Sequence, residues 1–348
     1  MAYTTIKKPS DYFNTKIYTG NSSTLSVTGV GFQPDWTWIK ERSSTSGHEV
    51  YDSTRGATKL LSPNTTDAEG TNASALTSFD SDGFSVGSGG AVNENSQTYV
   101  GWNWKANAGS TSSNSDGSIT STVQANTTAG FSIVTYTGTN VNGATVGHGL
   151  GKVPDIVLTK NRSTSGYNWL MYHSANTSAP ETDALLLNSN SGTLDSEFWW
   201  NDTAPTSSVF SLSQNGGNND NGNNYIAYCF NSVEGYSKFG KYTGNGSTDG
   251  TFVYTGFRPA WVLLKATSGT ESWELMDNKR LGYNGGTGEL RADVANAETT
   301  TNQVDFLSNG FKPRTTAGQW NSNGTIYIYL AFAESPFVTS TGVPVTAR

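Results

Sequence analysis

Pairs of carboxylates are the residues in this sequence whose spacing could do chemistry, because a glycoside hydrolase needs only two of them. Asp195 and Glu197 are two residues apart, which would place both side chains on one face of a strand. A solvated strand edge explains the same spacing, and we favour that interpretation, so the sequence predicts no catalytic residue. Two wider pairs are weaker candidates: Glu49 with Asp52, and Glu274 with Asp277.

Two of these aspartates carry a second pattern. Asp52 and Asp277 stand at equivalent places in the repeats described below, and Arg55 and Arg280 follow each of them by three residues. The spacing predicts an Asp–Arg pair in a turn. The third equivalent place holds His173 without an arginine, and a position that changes between copies fits structural pairing better than catalysis.

Metal-binding patterns are weak. The three histidines, His48, His148 and His173, lie far apart, so the sequence predicts no metal centre. The run from Asn218 to Asn224, which contains Asp220, could hold calcium through oxygen atoms, but one carboxylate is few for a hard dication. We therefore predict no cofactor, with calcium as the alternative. The nucleophile elbow, the P-loop and the dinucleotide fingerprint are also absent from the sequence.

Aromatic residues give a different candidate site. Trp199, Trp200, Asn201 and Asp202 stand together in a polar surround, and sugar rings stack on exposed tryptophans while asparagine and aspartate bind hydroxyls. If the segment is a strand, one of two adjacent tryptophans must face outward. Core filling is the alternative, and we expect it for the tryptophans of the repeated strands. These four residues are the predicted glycan contacts.

The elements that must position such sites recur three times. A proline enters an apolar strand that ends in a lysine six residues later, at Pro34 to Lys40, Pro154 to Lys160 and Pro259 to Lys265. Each copy opens with Tyr-Thr-Gly and closes with an asparagine six residues before a tyrosine: Asn93 and Tyr99, Asn219 and Tyr225, Asn321 and Tyr327. A repeated order of landmarks sets the domain count. It predicts domains at residues 1–109, 110–233 and 234–348.

The residues that interrupt and separate these segments indicate the fold class. Glycine and β-branched residues interrupt every candidate helix, whereas Asn-Gly and Asp-Gly turns separate short apolar strands. The sequence predicts an all-β protein of three tandem antiparallel β-sandwich domains, in the jelly-roll form of lectins and glucanases, with a plain Ig-like sandwich as the alternative. A Ser/Thr/Asn-rich stretch within residues 109–130 predicts a hinge between domains one and two. No such stretch separates domains two and three, so we expect these two domains to pack rigidly against each other.

Net charge and composition exclude some classes of partner. The net charge of −7 and the pI near 5.0 argue against nucleic acid, which needs a basic stripe. We also expect no membrane insertion, because no apolar run is long enough to span a bilayer. We expect no signal peptide, because the N-terminal residues lack an apolar core. Cys229 is the single cysteine, which predicts a packed thiol and synthesis in a cytoplasm without disulfides.

Several of these motifs together resemble a repeat module of virion proteins from tailed phages, frequent in marine phages and cyanophages. The residues that carry the resemblance span nearly the whole chain: Gly256–Lys265, Ser308–Lys312, Asn323–Thr325, Ala331–Glu334, Ala129–Val134, Thr203–Phe210 and Glu234–Gly240. Members are called tail-fibre, capsid-associated or lectin-like proteins. The resemblance implies a location on the virion surface. It implies little about chemical activity, and it supplies no catalytic residue.

The sequence therefore predicts a non-enzymatic structural protein of the phage surface, acting in tail-fibre adsorption or capsid decoration. Its expected partners are other virion proteins and a host surface glycan, and we expect a homo-oligomer. The first repeat begins almost at Met1, which favours a compact outer-surface protein over an anchored fibre. A polysaccharide depolymerase and a purely architectural capsid cement or filament subunit are the two alternatives.

Overall fold

Antiparallel strands make up nearly all of the regular structure. The computed structural model describes residues 4–282, 284, 287–301 and 303–336. Helical structure in these ranges is limited to short turns: α1 (Gly90–Asn93), α2 (Asn278–Leu281), α3 (Gly318–Asn321) and two 3-10 turns (Pro9–Asp11 and Pro180–Thr182). None of these helices is long and apolar enough to cross a membrane. The all-β prediction is confirmed.

The strands fall into three consecutive groups. The first contains β1 (Phe13–Thr19), β2 (Leu25–Thr28), β3 (Trp36–Glu41), β4 (His48–Asp52), β5 (Lys59–Leu60), β6 (Gly70–Thr71), β7 (Leu76–Asp80), β8 (Gly83–Val86) and β9 (Thr98–Trp104). The second contains β10 (Ser112–Asn114), β11 (Ser121–Asn126), β12 (Phe131–Thr137), β13 (Ala144–Gly147), β14 (Ile156–Asn161), β15 (Leu170–His173), β16 (Asp183–Leu186), β17 (Leu194–Asp195), β18 (Val209–Leu212) and β19 (Asn224–Phe230). The third contains β20 (Ser237–Thr243), β21 (Val253–Tyr254), β22 (Phe257–Ala266), β23 (Glu274–Asp277), β24 (Thr287–Arg291), β25 (Thr299–Thr301), β26 (Val304–Leu307), β27 (Gly310–Pro313) and β28 (Ile326–Pro336).

One strand order occurs in each group. The larger sheets, here called the inner sheets, contain β1-β9-β3-β4, β12-β19-β14-β15 and β20-β28-β22-β23. The smaller, outer sheets are β2-β8-β7, β13-β18 and β21-β27-β26. In every group the strand that ends at Tyr-Thr (β1, β12 or β20) pairs with the closing strand (β9, β19 or β28), and an outer strand from early in the group pairs with one from late in it. This nested pairing is the jelly-roll form of the sandwich.

Successive side chains of the proline-led strands point to opposite faces of the inner sheet, so they belong to two different hydrophobic clusters. Trp36 and Trp38 of β3 point to one side of the inner sheet, and Ile39 points to the other, into the interior of the first sandwich. Trp261 and Val262 of β22 divide in the same way. The outward side of each inner sheet joins one central cluster that contains residues from all three groups.

The three inner sheets therefore face one another as a closed ring around a common core. Aromatic side chains fill its centre: Trp36 lies 4.6 Å from Tyr228, and Phe332 lies 5.7 Å from both Trp104 and Trp261, centroid to centroid. The remaining central void is about 10 Å³, close to the smallest space that a water molecule needs. Aromatic and aliphatic side chains from all three groups line this void.

The structure corrects the expected hinge between the first and second sandwiches. The Ser/Thr/Asn-rich stretch contributes β10 and β11, which extend the second inner sheet. From β11, Gln124 donates to the buried Asp35 of the first sandwich at 2.6 Å and accepts from Thr54 at 2.6 Å. A hinge at this place would have to break these buried bonds, so the stretch acts as a clamp.

Candidate functional site

The candidate carboxylates Asp52 and Asp277 lie at seams between sandwiches. Asp52 accepts from its own Arg55 and, at 2.7 Å, from the hydroxyl of Tyr228 in the second sandwich. Asp277 accepts from Arg280 at 2.6 Å and from the indole of Trp102 in the first sandwich at 2.8 Å. The predicted Asp–Arg pairs are confirmed, and their role is to join neighbouring sandwiches.

Because side chains alternate along a strand, the two members of each wider carboxylate pair lie on opposite faces. Glu49 lies on the opposite face of β4 from Asp52 and accepts from Tyr51 inside the first sandwich. Glu274 likewise lies on the other side of β23 from Asp277 and pairs with Arg291 at 3.1 Å. Neither pair forms the facing arrangement that glycoside hydrolysis requires.

Each of these two seams continues into a chain of alternating charges. Glu69 accepts from Arg55 at 3.1 Å and from Arg162 of the second sandwich at 2.8 Å. Burial alone would raise the pKa of Glu69, but the hydrogen bond from Arg162 and the charge of Arg55 outweigh it and hold the pKa below its usual value. Glu298 has the same place between Arg280 and Arg42, both at 2.8 Å, and its pKa is lowered in the same way.

The third seam, between the second and third sandwiches, is neutral at these positions. Leu330 replaces the aromatic donors Trp102 and Tyr228, and His173 replaces the aspartates. Burial lowers the pKa of His173 to about 4, so the ring is neutral at pH 7. Its Nδ1 accepts from the backbone of Ala175 at 3.1 Å, which leaves Nε2 to donate to the carbonyl of Tyr329 across the seam at 3.3 Å.

Two of the three repeated lysines, Lys160 and Lys265, also donate across the seams, whereas Lys40 donates to the carbonyl of its neighbour Glu41. Lys160 donates to the carbonyls of Tyr167 and of Thr66 in the first sandwich, at 2.9 and 3.3 Å. Lys265 donates to Glu271 and to Asn190 of the second sandwich in the same way, at 2.6 and 3.1 Å. Burial lowers the pKa of both lysines to about 8. The residues that define the repeat are structural, so a functional site is to be sought where the copies differ.

The predicted glycan contacts lie in a turn, so their side chains do not alternate as in a strand. Trp200 is buried in the core of the second sandwich and donates to the carbonyl of Asp183 at 2.8 Å. Trp199 is half-buried and donates to the carbonyl of Leu194 at 3.2 Å. Asn201 and Asp202 follow with positive φ of 54° and 43°. The large exposed side chain of this turn is Phe198, at 53%.

The remaining candidates are at separate places on the second sandwich. Asp195 is exposed in the edge strand β17, and Glu197 is exposed in the turn that follows. In the segment considered for calcium, the amide of Asn219 is occupied by backbone groups, and Asp220 accepts from Tyr167 at 2.9 Å. Over the described ranges, no three His, Cys, Asp or Glu side chains come together to hold a metal ion.

A polar groove lies where the second and third sandwiches meet the N-terminal segment. Its volume is about 490 Å³, and its lining includes Thr5, Lys152, Ser232, Glu234 and Lys238. These side chains bring hydroxyls, two ammonium groups and one carboxylate to a single opening. We consider this groove the candidate binding site.

Local hydrogen bonds hold the groove in shape. Ser232 donates its backbone N–H to Asp155 at 2.7 Å, and its hydroxyl accepts from the backbone of Phe239 at 3.3 Å. Gly235 has a φ of +74°, and a Cβ there would lie 2.9 Å from the Cβ of Thr4. Glycine therefore lets the N-terminal segment pack against the groove wall.

An exposed aromatic pair continues from the groove onto the outer sheet of the third sandwich. Phe252 and Tyr254 are 45% and 49% exposed, and they flank the buried Val253. Lys238 of the groove lies with its Nζ 5.2 Å from the ring centroid of Tyr254 and donates to the Tyr254 carbonyl at 3.0 Å. Phe252 directly precedes β21 and Tyr254 ends it, and both side chains face solvent.

The copies differ at these two positions. Pairing of Val27 with Phe84, Val146 with Phe210 and Val253 with Phe311 aligns the three outer sheets. In this alignment the first two copies have Ser26 and Thr28, and Thr145 and Gly147, where the third has Phe252 and Tyr254. Comparison of the copies would have found this pair, but the sequence-based prediction weighed tryptophans alone.

Comparison with protein families identifies a family for this chain. A family model described as "Domain of unknown function (DUF7483)" matches residues 8–336. The chain belongs to the DUF7483 family. Because one DUF7483 match spans the strands of all three sandwiches, the family unit includes the whole ring. No curated protein and no solved structure matches the chain.

Proposed function

We propose that this protein is a carbohydrate-binding structural component of a phage virion surface, and that the groove with Phe252 and Tyr254 is its glycan site. The proposal rests on the exposure of this aromatic pair where the other two copies have small residues. Covering an exposed aromatic pair with a ligand removes apolar surface from water, which is favourable, so the presence of the pair in one copy alone supports a binding role. The virion location rests on the sequence resemblance.

The chemistry of the groove suits a sugar chain. Pyranose rings have apolar C–H faces that pack on aromatic side chains, and their hydroxyls need donors and acceptors around the rim. Phe252 and Tyr254, beside the groove, supply the apolar faces, and the exposed Ser232 and Thr5 supply hydroxyls. Lys238 and Tyr254 lie on strands, which reduces the cost of ordering the backbone on binding.

The experiment is a glycan array probed with the full chain, followed by binding curves for any glycan that is captured. The double variant Phe252→Ser, Tyr254→Thr restores the residue types of the first copy and is expected to reduce affinity by at least tenfold. The pair Phe198→Ser and Trp199→Ala is the matched control on the second sandwich, and it also tests the site predicted from the sequence. If the control pair abolishes binding and the double variant does not, the glycan site is at Trp199 and not at the groove.

A purely architectural role is the second candidate, and the reinforcement of all three seams supports it. It predicts a blank array together with firm binding to virus particles that lack this protein. A depolymerase role predicts release of shortened glycan by the wild-type protein and loss of that release in Asp195→Asn, Glu197→Gln. Intact glycan after prolonged incubation contradicts the depolymerase role.

A further inference from the structure

We infer that the groove selects glycans that carry carboxylates, such as uronic acids; this inference rests on the proposed function. Its basis is a pair of lysines from different sandwiches, Lys152 and Lys238, which line one opening. The protein as a whole has a net charge of −7, so a site with two cations and the single carboxylate of Glu234 stands out from its surroundings.

Lys152 is a departure from the repeat. It follows Gly151 and precedes Pro154 by two residues, and the other copies have Phe32 and Phe257 at that place. Both phenylalanines are buried, whereas Lys152 is exposed at the groove. An inward apolar anchor has been replaced by an outward cation, which the packing of the second sandwich does not need.

Lys238 is a second departure. Its strand partner is Ala331, and the corresponding pairs are Asn14 with Asn103 and Ser132 with Cys229, so the other copies have neutral residues there. The Nζ of Lys238 uses one hydrogen on the Tyr254 carbonyl and lies against the Tyr254 ring. An ammonium has three donors, so two remain for a ligand on the aromatic pair.

The two lysines line the groove, and the aromatic pair adjoins it through the contact of Lys238 with Tyr254. Neutral sugars would be satisfied by the stacking faces and hydroxyls alone. A carboxylate on a stacked sugar gains charge-assisted hydrogen bonds, which are about twice as strong as neutral ones. The geometry therefore favours an anionic chain lying from Tyr254 toward Lys152.

The test compares one uronic-acid hexasaccharide with the same hexasaccharide after reduction of its carboxylates to alcohols, by calorimetric titration of the full chain. The acidic form is expected to bind at least tenfold more tightly, and more weakly as salt rises. Lys152→Gln and Lys238→Gln are each expected to lower its affinity about tenfold and to leave the reduced form unchanged. Lys59→Gln, in the first sandwich, is the control for loss of one charge.

Equal affinity for both hexasaccharides, with no effect of either lysine variant, would overturn the selectivity while leaving the proposed glycan binding intact. Absence of binding to both, together with a blank array, would instead remove the proposed function. Unfolding of Lys238→Gln at the same urea concentration as the wild type separates loss of ligand contact from loss of fold.

Discussion

At the scale of single residues, donors and acceptors at the seams have changed together. Where Trp102 and Tyr228 supply an N–H or O–H, the facing residue is an aspartate with an arginine beside it. Where Leu330 supplies none, the facing residue is His173, which uses a backbone carbonyl. A carboxylate opposite Leu330 would lose a partner in a buried place, and such groups cost about 1–3 kcal/mol or more. This explains why the Asp–Arg pattern fails in the second copy.

The first prediction concerns the hydroxyl of Tyr228. Tyr228→Phe removes one buried donor from Asp52 and keeps the ring, so we expect a loss of about 2 kcal/mol in the free energy of unfolding. Urea denaturation followed by tryptophan fluorescence measures it. Tyr254→Phe, on an exposed ring, should be neutral by the same measurement, and a neutral Tyr228→Phe would show that the seam bond contributes nothing.

The second prediction concerns the closing asparagines. The amide of Asn321 accepts from Asn245 at 3.0 Å and donates to Ser247 and Thr315 at 2.7 and 3.1 Å. Asn321→Leu leaves several partly buried backbone groups without partners, so we expect a loss of about 3 kcal/mol. Asn93→Leu and Asn219→Leu should cost similar amounts, because these side chains bond equivalent turns.

Scanning calorimetry of the three leucine variants measures these costs. The exposed neighbour Asn323 provides the control substitution, Asn323→Leu, which should stay within about 0.5 kcal/mol of the wild type. Widely different costs in the three copies would contradict an equivalent role for the three asparagines.

At the scale of elements, each closing strand is fixed by a tyrosine pair. Tyr242 stacks on Tyr327 with centroids 5.0 Å apart, and the hydroxyl of Tyr327 donates to Gly318 and accepts from Ser322. The other copies have the same stack at 5.1 and 5.2 Å. The Tyr-Thr-Gly and Asn-to-Tyr landmarks thus lock the first inner strand against the last.

The charged seams make a prediction for acid pH. Glu69 and Glu298 have lowered pKa values, so they contribute stability that is complete above the unfolded pKa of about 4.3 and is lost as the pH falls through the folded values. His173 and His48, with pKa values lowered by burial to about 4 and about 3, resist protonation when folded. They remove stability progressively below about pH 6.5, where they protonate in the unfolded chain.

Unfolding free energies between pH 7 and pH 3 measure this dependence. We expect a steady decline below pH 6.5 that steepens below pH 5. In Glu69→Gln, Glu298→Gln the protein should be less stable at pH 7 and lose less stability between pH 5 and pH 3. Glu94→Gln, on an exposed glutamate, should follow the wild-type curve, and a double variant with the wild-type slope would contradict the role of the seams.

At the scale of the whole molecule, the three sandwiches share one apolar core and form a closed ring. The central cluster joins residues as far apart in sequence as Phe13 and Phe332, whose rings stack at 5.3 Å. Neighbouring sandwiches contact each other through a heterologous, head-to-tail interface. This interface closes into a ring after three copies, so no free end is left for further copies to add.

We therefore predict one cooperative unfolding transition for the full chain. Scanning calorimetry should give a van't Hoff enthalpy close to the calorimetric enthalpy, because no sandwich can unfold without exposing the central core of the other two. Two or three resolved transitions, or a van't Hoff enthalpy near one third of the calorimetric value, would contradict a shared core.

The sequence by itself determined the all-β class of the fold. Strand alternation, glycine turns and the proline-to-lysine spacing act over a few residues, so the composition of a segment is enough to predict them. The Asp–Arg pairs at Asp52 and Asp277 were within reach for the same reason, since the partners are three residues apart.

The ring and the groove were decided only by the tertiary structure. One apolar face of each inner sheet could pack on a second sheet of its own sandwich or on a neighbour, and periodicity does not distinguish the two. Lys152 and Lys238 come together because the second and third sandwiches meet at one seam. Trp200 lies in a turn and not in a strand, so alternation does not predict its direction, and its burial follows from packing in the core of the second sandwich.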